Sequence, residues 1–166
     1  GTALWACDPE RIQTTRRLYQ DMQVDKVIQA TFTEGDWLDL GQDASLKLLD
    51  SGSEETYIQV NWEDFSALMV FGKPRLKYYE DTSPYSLLIL PGQTAPEDLD
   101  ITKIEEMHPQ SIILSVDQQQ LPLDGSFSLS KMLNSFSTMR TDQLGWIRVR
   151  TDGQKMWLYS QKRLSD

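Results

Sequence analysis

The chain has 166 residues, of which 39% are hydrophobic and 25% are charged, and its formal net charge is -9 at pH 7. This length and composition suit one globular domain, residues 1–166, with a substantial core. The single cysteine excludes an intrachain disulfide framework and a cysteine-rich zinc site. No apolar run approaches the roughly 18 residues of a membrane span. Because the chain begins Gly-Thr rather than Met, we expect it to be either an excised piece of a longer protein or a chain that carries residues of a tag.

The acidic charge is concentrated in one part of the sequence. Residues 34–64 contain nine acidic residues and one basic residue, Lys47, whereas residues 140–166 contain six basic residues and three acidic ones. An acidic body repels a phosphate backbone at long range. Affinity for nucleic acid is therefore expected from the basic C-terminal hairpin alone, and a merely solvated hairpin face is the alternative.

The first half of the chain predicts a strand–helix–strand unit followed by a meander of short strands. Asp8 and Pro9 are typical of a helix start, and apolar residues then recur at helical spacing. A strand–helix–strand unit favours parallel pairing and the α/β class. The predicted elements are the end of a strand at residues 3–6, a helix over 9–22, and strands over 27–32, 37–40, 44–48, 57–62 and 65–71.

The second half predicts buried strands alternating with helical segments. The apolar runs at 86–90 and 111–116 are typical of strands buried on both faces. Residues 74–79 allow a short helix or an irregular crossing, 94–109 indicate a weak helical segment, and Ser128 is expected to cap a helix that carries Leu129 to Phe136. A closing hairpin pairs 146–150 with 156–159 around Asp152-Gly153.

The order of these segments resembles the metallo-β-lactamase fold, and more narrowly the C-terminal domain of ComEC-type DNA-uptake proteins. The resemblance runs through nearly the whole chain. It is carried by the segments Glu34 to Gly41, Tyr57 to Gly72, Ser86 to Pro91, His108 to Val116, and Thr141 to Gly153. It implies an αββα sandwich that lacks the opening strands of its first half, since the family's metal-binding loop corresponds to residues 5–11. An exposed sheet edge would follow, and with it self-association.

The metal-binding positions that the resemblance implies have changed. The family's Thr-His-x-His-x-Asp-His loop corresponds to Trp5 to Arg11, its bridging aspartate to Lys73, and its His-His-Gly-Ser loop to Pro91 to Thr94. A dinuclear hydrolase needs several imidazole and carboxylate ligands, and the only histidine is His108. We therefore expect no metal, no cofactor and no catalytic residue.

Other residues have simpler structural interpretations. Asp8 and Glu10 are expected to cap a helix rather than bind a hard cation, and Lys73 and Arg11 to form ion pairs with them. Cys7 is expected to be structural, and His108 to be a hydrogen-bonded loop residue. Tryptophans can stack on bases, but the strand positions of Trp62, Trp146 and Trp157 favour packing.

The resemblance implies a non-catalytic domain of a competence protein that acts in DNA uptake, structurally or by contacting DNA or a partner. The predicted contact residues are the basic side chains Arg148, Arg150, Lys155, Lys162 and Arg163. The predicted partners are single-stranded DNA, bound weakly, and a second copy through the sheet edge. The parent protein is expected to be membrane-embedded, with this domain soluble and extracytoplasmic. Two alternatives stay open: a metal-dependent phosphodiesterase or nuclease with atypical ligands, and a protein-interaction module unrelated to DNA.

Overall fold

The structure is a computed structural model. It describes residues 2–5, 20, 28–51, 55–73, 75–92, 94–116, 129 and 131–162. Eleven strands lie in these ranges: β1 Thr2–Trp5, β2 Ile28–Thr31, β3 Trp37–Gly41, β4 Ala44–Ser51, β5 Glu55–Trp62, β6 Phe65–Gly72, β7 Leu87–Pro91, β8 Ser111–Ser115, β9 Thr138–Arg140, β10 Ile147–Thr151 and β11 Met156–Ser160. The helical elements are 3-10 helices Leu76–Tyr78 and Pro96–Asp98, α1 Ile101–Glu106 and α2 Thr141–Leu144.

A mixed sheet of seven strands, in the order β3-β4-β5-β6-β7-β8-β9, forms the centre of the molecule. The strands from β3 to β6 are antiparallel, and β6, β7, β8 and β9 pair in parallel. The predicted α/β class and the predicted meander are confirmed. The parallel pairing of the first two predicted strands is also confirmed, because β1 and β2 form a separate parallel pair.

Two tight turns set the register of the meander. Gln42 and Asp43 join β3 to β4 with φ angles of 54° and 60°, and Glu63 begins the turn between β5 and β6 with a φ angle of 50°. Left-handed residues give such two-residue turns the twist that antiparallel strands require. Consequently Trp62 lies directly opposite Phe65, and the two side chains share one face of the sheet.

Alternation along β7 and β8 buries both faces of the sheet. Leu88 and Leu90 pack in a core beneath the helical segments, where α1 contributes Ile104 and Met107 follows its last turn. Leu87 faces the opposite core. Asp100 caps α1 by accepting hydrogen bonds from the backbone amides of Thr102 and Lys103. The helical segments thus cover one face.

The hairpin formed by β10 and β11 covers the other face. Its inward side chains are Ile147, Val149, Met156 and Leu158, and they pack against a core that includes Phe65, Ala67, Leu87, Ile113, Met139 and Leu144. Apart from the separate pair β1 and β2, the described elements therefore form three layers: helical segments, the seven-stranded sheet, and the hairpin.

Three features differ from the sequence predictions. Strand β9 and helix α2 were not predicted, because a three-residue strand and a four-residue helix are too short for periodicity to indicate them. Phe136 lies beyond the helical residues Leu129, Lys131 and Met132, so that helix ends earlier than its apolar spacing predicted. The predicted final hairpin is confirmed, since Ile147–Thr151 pairs with Met156–Ser160 across a four-residue loop. Of the predicted helix over 9–22, only Gln20 is described, and it is helical.

The two terminal strands of the large sheet are β3 and β9. Within the described part of the chain, β3 pairs with β4 alone, and its register shifts between Asp39 and Gly41. A bulge of this kind weakens pairing along an edge. Self-association through this edge stays a prediction. Among the described residues, no helix has the length and apolar character needed to cross a membrane.

Candidate nucleic-acid interface

The carboxyl ends of the parallel strands are a candidate binding site, because ligands of open α/β sheets bind outside these ends. Strands β6, β7, β8 and β9 end at Gly72, Pro91, Ser115 and Arg140. Lys73 directly follows β6 and is exposed. The resemblance described above would place a bridging aspartate at this residue, and the sequence has a lysine there.

Close packing fills the middle of this edge. A Cβ atom on Gly92 would lie 2.5 Å from Val116 Cγ2 and 2.9 Å from Val116 Cα, so only glycine fits there. The backbone amide of Val116 donates to Thr141 Oγ1 over 2.8 Å, and the Thr141 hydroxyl lies 3.1 Å from the Val116 carbonyl oxygen. Thr94 Oγ1 donates to the carbonyl of Pro91 over 2.6 Å. Local hydrogen bonds therefore satisfy these polar groups.

An ion pair lies beside this packed edge. Arg140 donates from Nε and Nη2 to the two carboxylate oxygens of Asp142, at 3.0 and 2.8 Å. The hydrogen bonds from Arg140 hold the pKa of Asp142 below its ordinary value. Both side chains are largely buried, and the Asp142 carboxylate is occupied by its ion pair with Arg140.

The residues described here include no group of three or more His, Cys, Asp or Glu side chains placed to hold a metal ion. Cys7, Asp8, Glu10 and Arg11 lie outside the described residues, so their expected roles and their expected ion pairs with Lys73 stay predictions. His108 is exposed, with a left-handed backbone (φ 46°) after the last turn of α1. Its backbone amide donates to the carbonyl of Glu105 over 3.1 Å.

The outward face of the final hairpin has a different composition. Because Ile147 and Val149 point inward, strand alternation sends Arg148 and Arg150 outward, next to Trp146. On β11 the same alternation exposes Trp157 and Tyr159. The register places Arg148 opposite Tyr159 and Arg150 opposite Trp157. We call these five side chains, Trp146, Arg148, Arg150, Trp157 and Tyr159, the outward hairpin face.

This face exposes an unusual amount of aromatic surface. Trp146 is 53% exposed, Trp157 is 41% exposed and Tyr159 is 47% exposed. Only seven large hydrophobic side chains of the described residues are exposed, and three of them are on this face. Contiguous exposed apolar surface of this kind typically marks an interaction site.

The two arginines lie among these rings. The guanidinium carbon of Arg148 lies 5.6 Å from the centre of the Trp146 ring, a cation–π contact that orients the group and leaves its N–H edge free to donate. Within the described ranges, neither Arg148 nor Arg150 has an ion-pair partner. Two solvated cations and three aromatic rings therefore share one face.

A groove lies at the turn end of this face. It has a volume of about 430 Å³ and is lined by Trp62, Arg150, Thr151, Asp152, Trp157 and Tyr159. Trp62 reaches it from the end of β5, in the central sheet, so the groove joins the sheet to the hairpin. Three of its lining residues are aromatic, one is cationic and one is anionic.

The loop at this end is held by short-range hydrogen bonds. Asp152 Oδ1 accepts from the backbone amides of Gln154 and Lys155, at 3.1 and 2.8 Å, which lowers the pKa of Asp152. Gly153 has a φ angle of 94°, and a Cβ atom there would lie 2.9 Å from the Glu63 carboxylate. The hairpin loop thus packs on the β5–β6 turn, which fixes the position of the groove.

The structure brings together two of the five predicted contact residues. Arg148 and Arg150 share the outward hairpin face, whereas Lys155 is exposed in the loop and Lys162 is exposed beyond the end of β11. The whole of β11, whose five residues span about 17 Å, lies between these two lysines. Arg163 lies outside the described residues.

The interpretation of the tryptophans as packing residues was wrong for Trp146 and Trp157, which are exposed, while Trp62 is half-buried. The alternation of side chains along a strand predicts the exposure. If Val149 and Leu158 point inward, their neighbours in sequence, which include Trp157 and Tyr159, must point outward. Thr151, Asp152 and Tyr159 were also missed, because the groove that they line depends on how the hairpin lies against β5.

No protein-family model matches the chain, and no curated protein matches it significantly. The outward hairpin face and its groove are therefore interpreted from their own chemistry.

Proposed function

We propose that this chain is a non-catalytic, metallo-β-lactamase-like domain of a ComEC-like competence protein, and that its outward hairpin face contacts single-stranded DNA during uptake. The layer order of helical segments, mixed sheet and hairpin is compatible with one part of an αββα sandwich. On this proposal the domain is soluble and extracytoplasmic, and its parent is embedded in the membrane.

The alternation of cations and rings on the outward hairpin face carries the proposal. Proteins that bind single strands combine cationic side chains, which contact phosphates, with aromatic side chains, on which bases stack. Arg148 and Arg150 supply the first group, and Trp146, Trp157 and Tyr159 supply the second. Residues 146–162 contain four basic residues and one acidic residue, so this strip is cationic on an acidic chain.

The acidic body limits the strength of this interaction. With a net charge of -9, the chain as a whole repels a polyanion, and the repulsion grows as salt is removed. We therefore propose weak binding that depends on few phosphate contacts. A domain with a basic net charge would instead attract DNA over its whole surface.

The first alternative is a metal-dependent phosphodiesterase with atypical ligands. Its active site would lie at the carboxyl edge of the parallel strands, where Lys73 is exposed and Arg140 is paired with Asp142. The positive charge of Lys73 at this edge disfavours the binding of a divalent metal ion. The second alternative is a protein-interaction module, which exposed aromatic residues also suit.

Two assays test the proposal. Fluorescence anisotropy with a labelled single strand of about 12 nucleotides should show binding that weakens from about 50 to about 200 mM salt. The same strand, incubated with Mn²⁺ or Zn²⁺, should remain intact. Binding that is absent or insensitive to salt would overturn the DNA contact in favour of a protein partner, and metal-dependent cleavage would overturn the non-catalytic assignment.

A further inference from the structure

The groove at the turn end of the hairpin has chemistry that phosphate binding does not need. A phosphate site requires cations alone, yet this groove also contains the carboxylate of Asp152 and the rings of Trp62, Trp157 and Tyr159. We propose that the groove takes one unpaired base, and that it prefers a base with an exocyclic amino group, such as cytosine, over thymine. This inference rests on the proposed single-strand contact and assigns its base-binding subsite.

Two rings of β11 supply stacking surface in this groove. Trp157 and Tyr159 are two residues apart on the same face of the strand, and both line the groove. A base that enters the groove therefore meets aromatic side chains on which it can stack. The volume of about 430 Å³ lies within the range of small-molecule pockets.

Arg150 is placed to bind the phosphate attached to that base. It lies directly opposite Trp157 in the hairpin register and lines the same groove. Its guanidinium group is exposed and has no ion-pair partner among the described residues. A base stacked on Trp157 thus places its backbone beside a cation, and duplex DNA is excluded because its bases are already paired.

Asp152 provides the basis for discrimination between bases. Its Oδ1 atom is occupied by two backbone amides, whereas no hydrogen bond to Oδ2 is formed by the residues that the structure describes. An ionised carboxylate only accepts hydrogen bonds. The N4 amino group of cytosine donates, whereas thymine presents the O4 acceptor at the same position. At this position the carboxylate can therefore accept a hydrogen bond from cytosine, whereas thymine presents a second acceptor to it.

The test compares oligo(dC) with oligo(dT), each of about 12 nucleotides, by anisotropy at one salt concentration. Wild-type protein should bind oligo(dC) at least about 10-fold more tightly than oligo(dT), the value of one hydrogen bond to a charged acceptor. Asp152→Asn is the matched variant, because Asn keeps an oxygen that can cap the loop and also presents a donor to thymine. Its ratio of affinities should approach one.

The ratio separates base recognition from electrostatics. Removal of the Asp152 charge strengthens the binding of both strands, but a merely electrostatic or structural role leaves their ratio unchanged. An unchanged ratio in Asp152→Asn, or equal wild-type affinities for the two strands, would overturn the base subsite while the single-strand contact stands. If neither strand binds, the proposed function itself fails. Trp157→Ala should weaken the binding of both oligonucleotides about 5-fold or more.

Discussion

Removal of the two outward arginines should weaken DNA binding by a predictable amount. Arg148 and Arg150 are the only cations on the outward hairpin face of the described chain. Each phosphate contact to a single strand contributes about 0.7 to the slope of log K against log[salt]. At about 0.1 M salt, one contact therefore contributes about 5-fold in affinity, and two contribute about 25-fold. The double variant Arg148→Ala/Arg150→Ala should show this loss, which is about 2 kcal/mol.

The assay is anisotropy with a labelled single strand at several salt concentrations. The salt slope of the double variant should be smaller than that of the wild type by about 1.4. Both side chains are exposed, so the stability of the fold should change by no more than about 1 kcal/mol, mainly from the lost contact of Arg148 with the Trp146 ring. Circular dichroism and thermal denaturation check that the variant is folded.

A matched control carries the same change in net charge elsewhere. Lys47 on β4 and Lys131 in a helical segment are both exposed, and neither is on the hairpin. Lys47→Ala/Lys131→Ala should weaken binding less than about 3-fold, because exposed charges beyond a Debye length are screened. If the control weakens binding as much as the hairpin variant, the effect is one of net charge, and the reasoning is refuted.

Three further predictions concern the fold. Gly153→Ala should destabilise the protein by about 1–2 kcal/mol, because residue 153 has a left-handed backbone and lies close to the Glu63 carboxylate. The control is Gly35→Ala, at a residue with a similar φ angle but open space around it, which should lose less stability in the same denaturant titration. Equal losses of stability would contradict the contact between the two turns. The pKa of Asp142 is lowered in the folded state, so its pairing contributes stability above a pH of about 4 that is lost as the pH falls further. Asp142→Asn should cost about 2 kcal/mol at neutral pH and reduce the loss of stability in acid, whereas an unchanged acid dependence would be inconsistent with the pair. Sedimentation velocity should show self-association through the β3 edge, and a strict monomer at high concentration would remove that prediction.

Much of the sheet was predictable because its signals are local. The apolar runs of β7 and β8 indicated strands buried on both faces, and their parallel neighbours confirm it. The break between the predicted strands 37–40 and 44–48 coincides with the observed turn, in which Gln42 and Asp43 have left-handed backbones. By contrast, β9 extends the sheet by only three residues, and tertiary pairing with β8 rather than intrinsic propensity makes it a strand.

The candidate site was predictable only in part. The excess of basic residues near the C-terminus indicated Arg148 and Arg150, and both are exposed together. The groove depends on long-range packing, since Trp62 comes from the central sheet while Trp157 comes from the hairpin. The sequence separation of these residues gives no sign of their proximity. Exposure of Trp146 was predictable from the inward positions of Ile147 and Val149. The packing interpretation instead followed the general tendency of tryptophan side chains to be largely buried.

The most direct test of the central claim is a titration of ¹⁵N-labelled protein with a short single strand, observed at the tryptophan indole N–H groups. The indole signals of Trp62, Trp146 and Trp157 should shift or broaden together as the strand is added, while that of Trp37, which is exposed on β3, should stay in place. Backbone changes should be confined to the outward hairpin face and the loop at 152–155. If Trp37 responds as strongly as Trp157, or if the changes cluster around Lys73 and Gly92 at the carboxyl edge of the sheet, then the hairpin is not the DNA-binding surface of this protein.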